Sequence, residues 1–575
     1  MMRKQKFIKI LLAAGILSAR MSMISFAEEG WVNENDKWAY YTENGERVTS
    51  RLLELDGDYY YVDENGYRVS NQWVAIDNEL AGEEGEPEQY WYYFQQTGKA
   101  YKYPENASSD SVKTKKINGK KYAFDSEGRM LYGWVSGGER LKEEDAWMDA
   151  DYYFGTENDG AMKFGWQKIP ILANVEDEVL SYEGIWEDLD EEEERKQDRW
   201  FYFSAGGRKT KGTPEKIKLL TIDGHRHGFD QYGRMISSWY ADHNIITTEA
   251  YDKNNTDEEN LTQRQGGSEY TREFMYFGAP ESGIQYKNSW FKAVPSRFLM
   301  ESKHMEGSEY TYYVGEDGHL YANEIRVING ERYAFDNYGR QIRGLVCLVM
   351  TDENETSEFE ATWYQDKKER EFYSVDAFNE LIDYERFNSK GALVECYRND
   401  FASGKLRFYY FGGKNGEMLT GKHEITLGEN EMGEKEVVEF VFEDSGRYPG
   451  KGIFGRRDNK LYQAGMLLKA SDEENYAIVR VENKTQTVGT SDKTYKMLDI
   501  ISRDEFIEDV CNSGIFDEKK NEEVWTVRYE PENTDYYLVD QNGAIVKNKD
   551  HATDGEGYRF KVKNSKIQSI AFKEQ

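Results

Sequence analysis

Short aromatic runs alternate with polar, glycine-containing turns along most of the chain. Each run is followed by a few mostly polar residues, a glycine and a second short run, as in residues 59–61 before Gly66 and residues 200–203 before Gly207. This pattern is typical of β-hairpins with tight turns. Because a single hairpin is only marginally stable in water, the pattern predicts that consecutive hairpins stack on one another.

One phrase occurs three times at nearly equal intervals. It reads Ile-Asn-Gly-Lys-Lys-Tyr-Ala-Phe from Ile117, and related versions begin at Ile222 and Ile328. The loops between the copies differ widely in length, which is typical of a regular spine with variable inserts. We therefore predict an all-β fold: a repeat array of β-hairpins stacked as an elongated β-solenoid, with short helical inserts and a small α+β C-terminal region.

Two short segments have a helical pattern of apolar residues. One covers residues 375–382 after Ser374, a plausible N-cap. In the other, Ser502 and Glu505 form a capping box, and Gly514 is the expected stop.

Composition and repeat regularity divide the chain into five predicted segments. A basic start, a short apolar run and a small-x-small site ending at Ala27 predict a signal peptide over residues 1–27. The apolar run is shorter than the roughly 20 residues that span a bilayer. The other predicted segments are hairpin repeats over 28–170, further repeats with acidic inserts over 171–345, degenerate repeats with a long insert over 346–469, and a C-terminal region with a short helix and a terminal repeat-like hairpin over 470–575.

The composition agrees with thin strands rather than a thick enzyme core. Aromatic residues make up 15% of the chain, while all hydrophobic residues together make up only 38%. The chain has 51 glycines and 8 prolines, which indicates many tight turns. Its net charge of −33 repels nucleic acid and anionic lipid, so we expect neither as a partner.

Metal and cofactor chemistry is not indicated. Cys347, Cys396 and Cys511 lie far apart, which leaves one bridge or three buried thiols and offers no zinc spacing. The tempting pair His225 and His227 aligns with variable positions of the sister phrases. We therefore predict no metal and no cofactor.

Catalytic motifs of the common hydrolases and nucleotide-binding enzymes are not found in the sequence, and we predict a protein that is not an enzyme. The repeats leave only about residues 470–534 unassigned. This stretch is at the small end of what folds alone, and small for a hydrolase.

The repeats resemble the cell-wall-binding repeats of Gram-positive surface proteins, which include choline-binding modules and glucan-binding repeats. The resemblance rests on the pairs Gly30-Trp31 and Gly133-Trp134, the runs at residues 38–41 and 91–93, and the spaced glycines. It covers most of residues 30–469 and returns near the C-terminus. It implies stacked hairpins that hold choline between aromatic side chains, because a quaternary ammonium is bound by ring faces.

The resemblance also implies candidate ligand-binding residues, which would form the walls of aromatic cages. These candidates are Trp31, Trp38, Tyr60, Trp73, Trp91, Trp134, Trp166, Trp200, Trp239 and Trp290. Later units depart from the Gly-Trp pattern, as in Gly344-Leu345 and Gly421-Lys422, so intact cages are expected in the N-terminal half.

Three functional hypotheses follow. The first is a secreted, non-catalytic protein that binds cell-wall polymers, such as teichoic-acid choline or polysaccharide, stays non-covalently on the cell surface, and offers its inserts to an extracellular protein partner. The second is a glucan- or exopolysaccharide-binding protein or adhesin on the same scaffold. The third is a wall hydrolase with its site in an insert or in residues 470–534.

Overall fold

The structure, a computed structural model, describes residues 29–83, 85–104, 106, 111–172, 196–241, 268–296, 298–362, 375–429, 435–488, 490–528, 531–554 and 557–573. The predicted signal peptide, the acidic runs near residues 187–194 and 252–260, and Ser374 lie outside these ranges. The chain forms two compact units. The first is drawn from Met1–Glu176, Asp188–Thr213 and Phe229–Met235, and the second from Asp177–Glu187, Pro214–Gly228 and Ile236–Gln575.

Strands dominate the described residues. The strands of residues 30–203 are β1 (Gly30–Glu34), β2 (Lys37–Tyr41), β3 (Arg51–Leu55), β4 (Asp58–Val62), β5 (Gln72–Asp77), β6 (Gln89–Phe94), β7 (Thr114–Ile117), β8 (Lys120–Ala123), β9 (Trp134–Ser136), β10 (Glu139–Arg140), β11 (Tyr152–Tyr153), β12 (Gly165–Leu172) and β13 (Lys196–Phe203). The strands of residues 218–442 are β14 (Lys218–Ile222), β15 (His225–Phe229), β16 (Trp239–Tyr240), β17 (Met275–Tyr276), β18 (Ser289–Ala293), β19 (Tyr310–Val314), β20 (Glu324–Ile328), β21 (Glu331–Phe335), β22 (Gly344–Met350), β23 (Phe359–Thr362), β24 (Glu385–Phe387), β25 (Leu393–Cys396), β26 (Leu406–Phe411), β27 (Gly421–Glu429) and β28 (Lys435–Phe442).

The C-terminal strands are β29 (Gly455–Arg457), β30 (Lys460–Gln463), β31 (Met466–Leu468), β32 (Tyr476–Val488), β33 (Ser491–Ile501), β34 (Ile515–Asp517), β35 (Glu522–Thr526), β36 (Thr534–Asp540), β37 (Lys549–Thr553), β38 (Tyr558–Lys563) and β39 (Lys566–Phe572). The short helices are α1 (Ala146–Asp149), α2 (Ser268–Arg272), α3 (Glu301–Met305), α4 (Val375–Ile382), α5 (Tyr397–Ser403) and α6 (Arg503–Val510). Most sheets are two-stranded antiparallel hairpins, and larger sheets of five strands, β27-β28-β31-β30-β29 and β34-β35-β39-β38-β37, lie in the later part. The predicted all-β array of hairpins is confirmed.

Two-residue turns close many of the hairpins. In the repeated phrase, Asn118-Gly119, Asp223-Gly224 and Asn329-Gly330 all have positive φ at both positions. This is the type I′ geometry, which matches the twist of the two strands and requires residues that tolerate a left-handed backbone. The Asn-Gly and Asp-Gly pairs therefore explain why strands form on either side of them.

A second turn follows each repeated phrase and is held by an aspartate. Asp125 Oδ1 accepts hydrogen bonds from the N–H groups of Glu127 and Arg129, over 3.0 and 2.8 Å. Asp230 and Asp336 make the same bonds in the other two copies. This side-chain turn directs the chain back toward the hairpin that precedes it.

One backbone hydrogen bond then joins each hairpin to the one before it. It comes from the residue two positions after the turn glycine, which we call the closing residue. Its N–H donates to a carbonyl of the preceding hairpin: Arg68 to Trp38 over 2.6 Å, Met130 to Trp91 over 2.7 Å, Lys209 to Asp151 over 2.7 Å, Met235 to Trp200 over 2.8 Å, Leu320 to Phe274 over 3.1 Å, and Gln341 to Thr311 over 2.8 Å. The recurring bond fixes which side chains of consecutive hairpins meet.

Buried residues form a series of small clusters rather than one large core. Ile117, Tyr122, Phe124 and Met130 form one such cluster, with half-buried Trp73 packed against it. The composition anticipates this arrangement, since each thin hairpin contributes only one or two rings to its neighbour.

The predicted helix over residues 375–382 is confirmed as α4. Its Phe378, Leu381 and Ile382 are buried against Phe408 and strand β28. The spacing of these apolar residues places them on one helix face.

The predicted capping of α6 is confirmed, but its predicted end is wrong. Ser502 Oγ accepts a hydrogen bond from the Glu505 N–H over 3.1 Å. The helix ends at Val510, before Gly514, because Cys511 is extended and pairs with Val527. The three cysteines are free and buried.

Candidate functional site: aromatic clusters of the hairpins

A tryptophan faces a tyrosine across the two strands of many hairpins. Their side chains lie on the same face of the sheet because the residues are directly opposite in register. The pairs and their ring-centroid distances are Trp31 and Tyr40 (5.2 Å), Trp73 and Tyr93 (5.2 Å), Trp134 and Tyr153 (4.8 Å), Trp166 and Tyr202 (5.1 Å), Trp239 and Tyr276 (5.1 Å), and Trp290 and Tyr313 (5.0 Å).

A residue with a left-handed backbone lies one or two positions before each of these tryptophans. Gly30, Gly133 and Gly165 occupy this position in some hairpins, and Asn71 and Asn288 occupy it in others. Asn tolerates positive φ better than most residues. The loss of the Gly-Trp pattern at Trp73 and Trp290 therefore leaves the hairpin geometry intact.

The Trp73 cluster consists of Trp73, Tyr93, Tyr101, Tyr122 and Phe124. The Trp73 ring lies 4.9 Å from Tyr122 and 5.8 Å from Phe124, both from the next hairpin. Tyr101 stacks on Tyr93 at 5.7 Å. Trp73 itself is half-buried, so part of its indole faces solvent while aromatic rings surround the rest.

The Trp290 cluster repeats this arrangement with Trp290, Tyr313, Tyr321, Tyr333 and Phe335. Trp290 lies 4.8 Å from Tyr333 and 5.6 Å from Phe335, and Tyr321 stacks on Tyr313 at 5.4 Å. Burial raises the pKa of Tyr313, Tyr321 and Tyr333. These rings therefore stay neutral over the physiological range, and their faces remain attractive to a cation.

The Trp166 cluster is a variant made of Trp166, Trp200, Tyr202 and Phe229. Phe229 stacks on Trp166 at 5.7 Å, and Trp200 meets Trp166 edge-on at 6.2 Å. Trp166 and Trp200 are both half-buried. The Trp200 indole therefore packs edge-on against the central indole of this cluster.

The Trp134 cluster contains a lysine of the chain itself. Trp134 lies 5.2 Å from Phe201, and the Lys209 Nζ lies 5.3 Å from the centroid of the Trp134 ring. The Lys209 ammonium also donates hydrogen bonds to the carbonyls of Trp147 and Met148. Burial lowers the pKa of Lys209 to about 7.

An arginine lies in the same way over the first hairpin. The Arg68 guanidinium carbon is 5.5 Å from the Trp31 ring centroid and 5.6 Å from that of Trp38. Tyr60 contacts Trp31 at 5.3 Å, and Trp38 is 38% exposed. The structure thus brings three predicted site residues together around one internal cation.

Trp239 lies in a different environment from the other paired tryptophans. Its side chain is 2% exposed, and its indole N–H donates to the Val294 carbonyl over 2.7 Å. Tyr312 and Phe291 contact its ring at 5.0 and 5.5 Å. Trp239 is therefore enclosed in a hydrophobic core to which the next hairpin contributes.

Trp38, Trp91 and Trp200 share one strand position, two residues before the paired tyrosine. Residues two apart on a strand face the same side, so their rings lie on the face that carries the paired rings. Trp91 is half-buried and packs at the edge of the Trp73 cluster. The backbone carbonyls of all three accept the hydrogen bond of a closing residue.

Several cluster residues were not singled out from the sequence. Tyr101 and Tyr321 each lie three positions after a turn glycine, and this fixed spacing is a signal that identifies them. Lys209 and Arg68 lie two positions after a turn glycine. Their contact with a tryptophan depends on pairing with a distant hairpin, which the local sequence does not show.

The described part of the chain contains neither a metal-binding group of side chains nor a long apolar helix. Within it, no group of three or more His, Cys, Asp and Glu residues is arranged to hold a metal ion. None of the helices in the described ranges has the length and hydropathy that a bilayer crossing requires.

Comparison with solved structures identifies similar proteins from Streptococcus pneumoniae. The chain is similar to choline binding protein F at 12% identity and a TM-score of 0.24, over 77% of this chain and 99% of that chain. It is similar to the modular autolysin LytC, solved with a synthetic peptidoglycan ligand, at 13% identity and a TM-score of 0.21, over 57% of this chain and 56% of that chain. The choline binding domain of Spr1274 matches at 27% identity and a TM-score of 0.11, over 13% of this chain and 88% of that chain.

No protein-family model matches the chain, and a search of curated proteins finds no match. Choline-binding proteins, the group that the sequence resembles, are therefore also among the solved structures to which this chain is similar.

Proposed function

We propose that this protein is a secreted, non-catalytic repeat protein that binds cell-wall polymers by holding quaternary ammonium groups, such as choline, against aromatic clusters. The working clusters are those of Trp73, Trp166 and Trp290. The observation that carries the proposal is the recurrence of one half-buried indole, surrounded by rings of its own and the next hairpin, in the Trp73 and Trp290 clusters.

Physical chemistry favours a quaternary ammonium as the ligand of such a cluster. A quaternary ammonium has no N–H to donate, so ring faces bind it through cation–π attraction and dispersion. The net charge of −33 adds a general attraction for cations and a repulsion for anions.

The recurring hydrogen bond of the closing residues supports a further proposal about architecture. Because each closing residue docks on the preceding hairpin in the same way, consecutive hairpins should be related by a similar step. We propose that the array is a β-solenoid whose clusters bind a polymer with repeated choline groups. Multivalent binding of this kind raises avidity without strengthening any one contact.

A non-catalytic role is supported by the state of the most buried aspartates of the repeats. Asp230 and Asp336 each accept two backbone N–H groups and an arginine Nε. Carboxylates held in this way serve the turns and are poorly placed to exchange protons with a substrate. The predicted signal peptide supports export of the protein.

Retention on resins tests the proposed function. The secreted chain is applied to choline, peptidoglycan and glucan resins, together with the variant that carries Trp73→Ala and Trp290→Ala. We expect the parent to be retained on the choline resin and eluted by free choline, and the variant to be retained less. Trp525→Ala is the matched control, since Trp525 is also half-buried but lies in the C-terminal sheet opposite Ile570.

Three results would contradict the proposal. Equal retention of the parent and the double variant would show that the Trp73 and Trp290 clusters do not contribute to binding. Retention on glucan resin that resists free choline would favour the sugar-binding alternative. Release of soluble fragments from purified wall would show a hydrolase.

A further inference from the structure

The closing residue of each hairpin reaches the aromatic cluster of the preceding hairpin. In the Trp73 cluster this residue is Met130, and in the Trp166 cluster it is Met235. In the Trp290 cluster it is Gln341. All three are uncharged, so these clusters have no cation of the chain at this position.

Two other clusters receive a charged closing residue through the same backbone bond. Lys209 occupies the position in the Trp134 cluster, and Arg68 occupies it in the first hairpin. Both cations lie within cation–π distance of a tryptophan ring. The residue type at one repeated position thus decides whether a cation of the chain lies over the paired tryptophan. In the Trp73 and Trp290 clusters the nearby cations, Lys115 and Arg326, lie instead over the flanking rings of Tyr101 and Tyr321, at 5.4 and 4.9 Å.

Lys209 is held much as an ammonium ligand would be held. Its Nζ lies 5.3 Å from the Trp134 ring centroid and 6.0 Å from that of Phe201, and it donates to the carbonyls of Trp147 and Met148. Lys209 is 4% exposed. A buried ammonium is costly, and here carbonyl dipoles and ring faces replace part of the lost water.

The neighbouring carboxylates are engaged with other cations. Asp151 pairs with Arg208 over 2.9 Å and with Lys211 over 3.2 Å. Asp230 pairs with Arg234 over 2.6 Å. The close contacts of the Lys209 ammonium are therefore those with carbonyls and aromatic rings, while Asp149, Asp151 and Asp230 favour its charge at longer range.

We propose that the charge of the closing residue determines which clusters bind an external ligand: Lys209 is an internal ligand that closes the Trp134 cluster, and Met130 leaves the Trp73 cluster open. This inference rests on the proposed function, since it names which clusters accept quaternary ammonium groups. Arg68 closes the first cluster by the same rule. Trp134, although it has the full Gly-Trp pattern, then has a structural role.

Titration of the full chain with choline chloride, followed by calorimetry, tests this inference. Lys209→Met should gain one choline equivalent per chain relative to the parent. Methionine is chosen because it is the native closing residue of the Trp73 and Trp166 clusters, so the hairpin contact should be kept. Combining Lys209→Met with Trp134→Leu should remove the gained equivalent, and leucine is the native partner of Tyr410 at position 345.

The reciprocal change is Met130→Lys, which should remove one choline equivalent by placing an ammonium in the Trp73 cluster. Lys211→Met is the matched control for charge, because it removes a neighbouring lysine that pairs with Asp151. Its stoichiometry should equal that of the parent. Near-ultraviolet circular dichroism establishes that each variant is folded.

Several outcomes overturn the inference. A folded Lys209→Met variant that gains no equivalent contradicts it, as does a gained equivalent that survives Trp134→Leu. If Lys209→Met does not fold, full choline stoichiometry in Met130→Lys contradicts the inference. A parent that binds no choline contradicts the proposed function alone, because a new equivalent in Lys209→Met would still support the internal-ligand role.

Discussion

At the scale of single residues, three Asp–Arg pairs show how burial determines the contribution of an ion pair to the free energy of unfolding. Arg129, Arg234 and Arg340 each donate from Nε to the aspartate four positions earlier, over 2.6, 2.6 and 2.8 Å. The Arg340 side chain is 5% exposed, whereas that of Arg129 is 31% exposed. A buried carboxylate depends on its partner far more than one that water can reach.

We expect Arg340→Met to lower the free energy of unfolding by about 3 kcal/mol, since it leaves the buried Asp336 carboxylate without its partner cation. Arg129→Met removes the same contact at a more exposed site and should cost about 1 kcal/mol or less. Denaturant unfolding of both variants measures the difference. Equal losses would show that burial does not set the strength of this pair.

Lys209 should make stability depend on pH. Burial lowers its pKa to about 7 from the ordinary value of 10.5, so the unfolded chain binds this proton more tightly than the native chain. Stability should therefore rise with pH between these two values, by at most about 1.4 kcal/mol per pH unit. Lys209→Met should lack this contribution.

The measurement is the difference in the free energy of unfolding between the parent and Lys209→Met, from about pH 7 to about pH 10. We expect this difference to shift in favour of the parent as the pH rises. Lys211→Met should show a smaller trend relative to the parent, because Lys211 contributes less than burial to the lowered pKa of Lys209. A pH-independent difference for Lys209→Met would mean that Lys209 keeps its ordinary pKa in the folded chain.

At the scale of elements, the turns determine where the strands form and where the chain returns. Gly330 lies in a type I′ turn with φ of 91°, and a Cβ there would meet no heavy atom within 4 Å. Gly339 has φ of 77°, and a Cβ there would lie 3.1 Å from Leu320 Cδ1 and 3.2 Å from the Tyr321 carbonyl. The two glycines therefore differ in packing while sharing a left-handed backbone.

Gly330→Ala should cost about 1 kcal/mol, because only the backbone is strained. Gly339→Ala should cost more, since the methyl group also crowds the contact between consecutive hairpins. Denaturant unfolding of the two variants checks the order. A smaller loss for Gly339→Ala would show that the hairpin contact relaxes without cost.

The elements were predictable where the signal was local. Asn-Gly and Asp-Gly pairs predict type I′ turns from two residues alone, and the spacing of Phe378, Leu381 and Ile382 predicts α4 from a single turn of helix. The end of α6 was not predictable in this way. Its last residues compete with a strand pairing between Cys511 and Val527, which are distant in sequence.

The sites were predictable only in part, for a related reason. The sequence identifies the tryptophans, and the pairing with tyrosine follows from hairpin register. The enclosure of Trp239 in a core does not follow from hairpin register, because Tyr270 of α2 and residues 298–300 just before α3 contribute to that core. Inserts of irregular length determine which indoles keep an open face.

At the scale of the whole molecule, the repeated turn and the net negative charge are features to which many repeat units contribute. A fixed period and a net charge of −33 are therefore visible without coordinates. The proposed choice of which clusters bind an external ligand is different, because it depends on one closing residue per hairpin. The proposed binding capacity is set by a few positions within a scaffold that many positions specify.

The most direct test of the proposed binding is a fluorine NMR titration of the chain labelled with 5-fluorotryptophan. The 13 tryptophans give separate probes, which Trp→Phe variants assign. We expect choline to shift the resonances of Trp73, Trp166 and Trp290 saturably, while the buried Trp147 and Trp239 stay unchanged. Resonances that do not move, or that all move equally without saturation, would contradict the account.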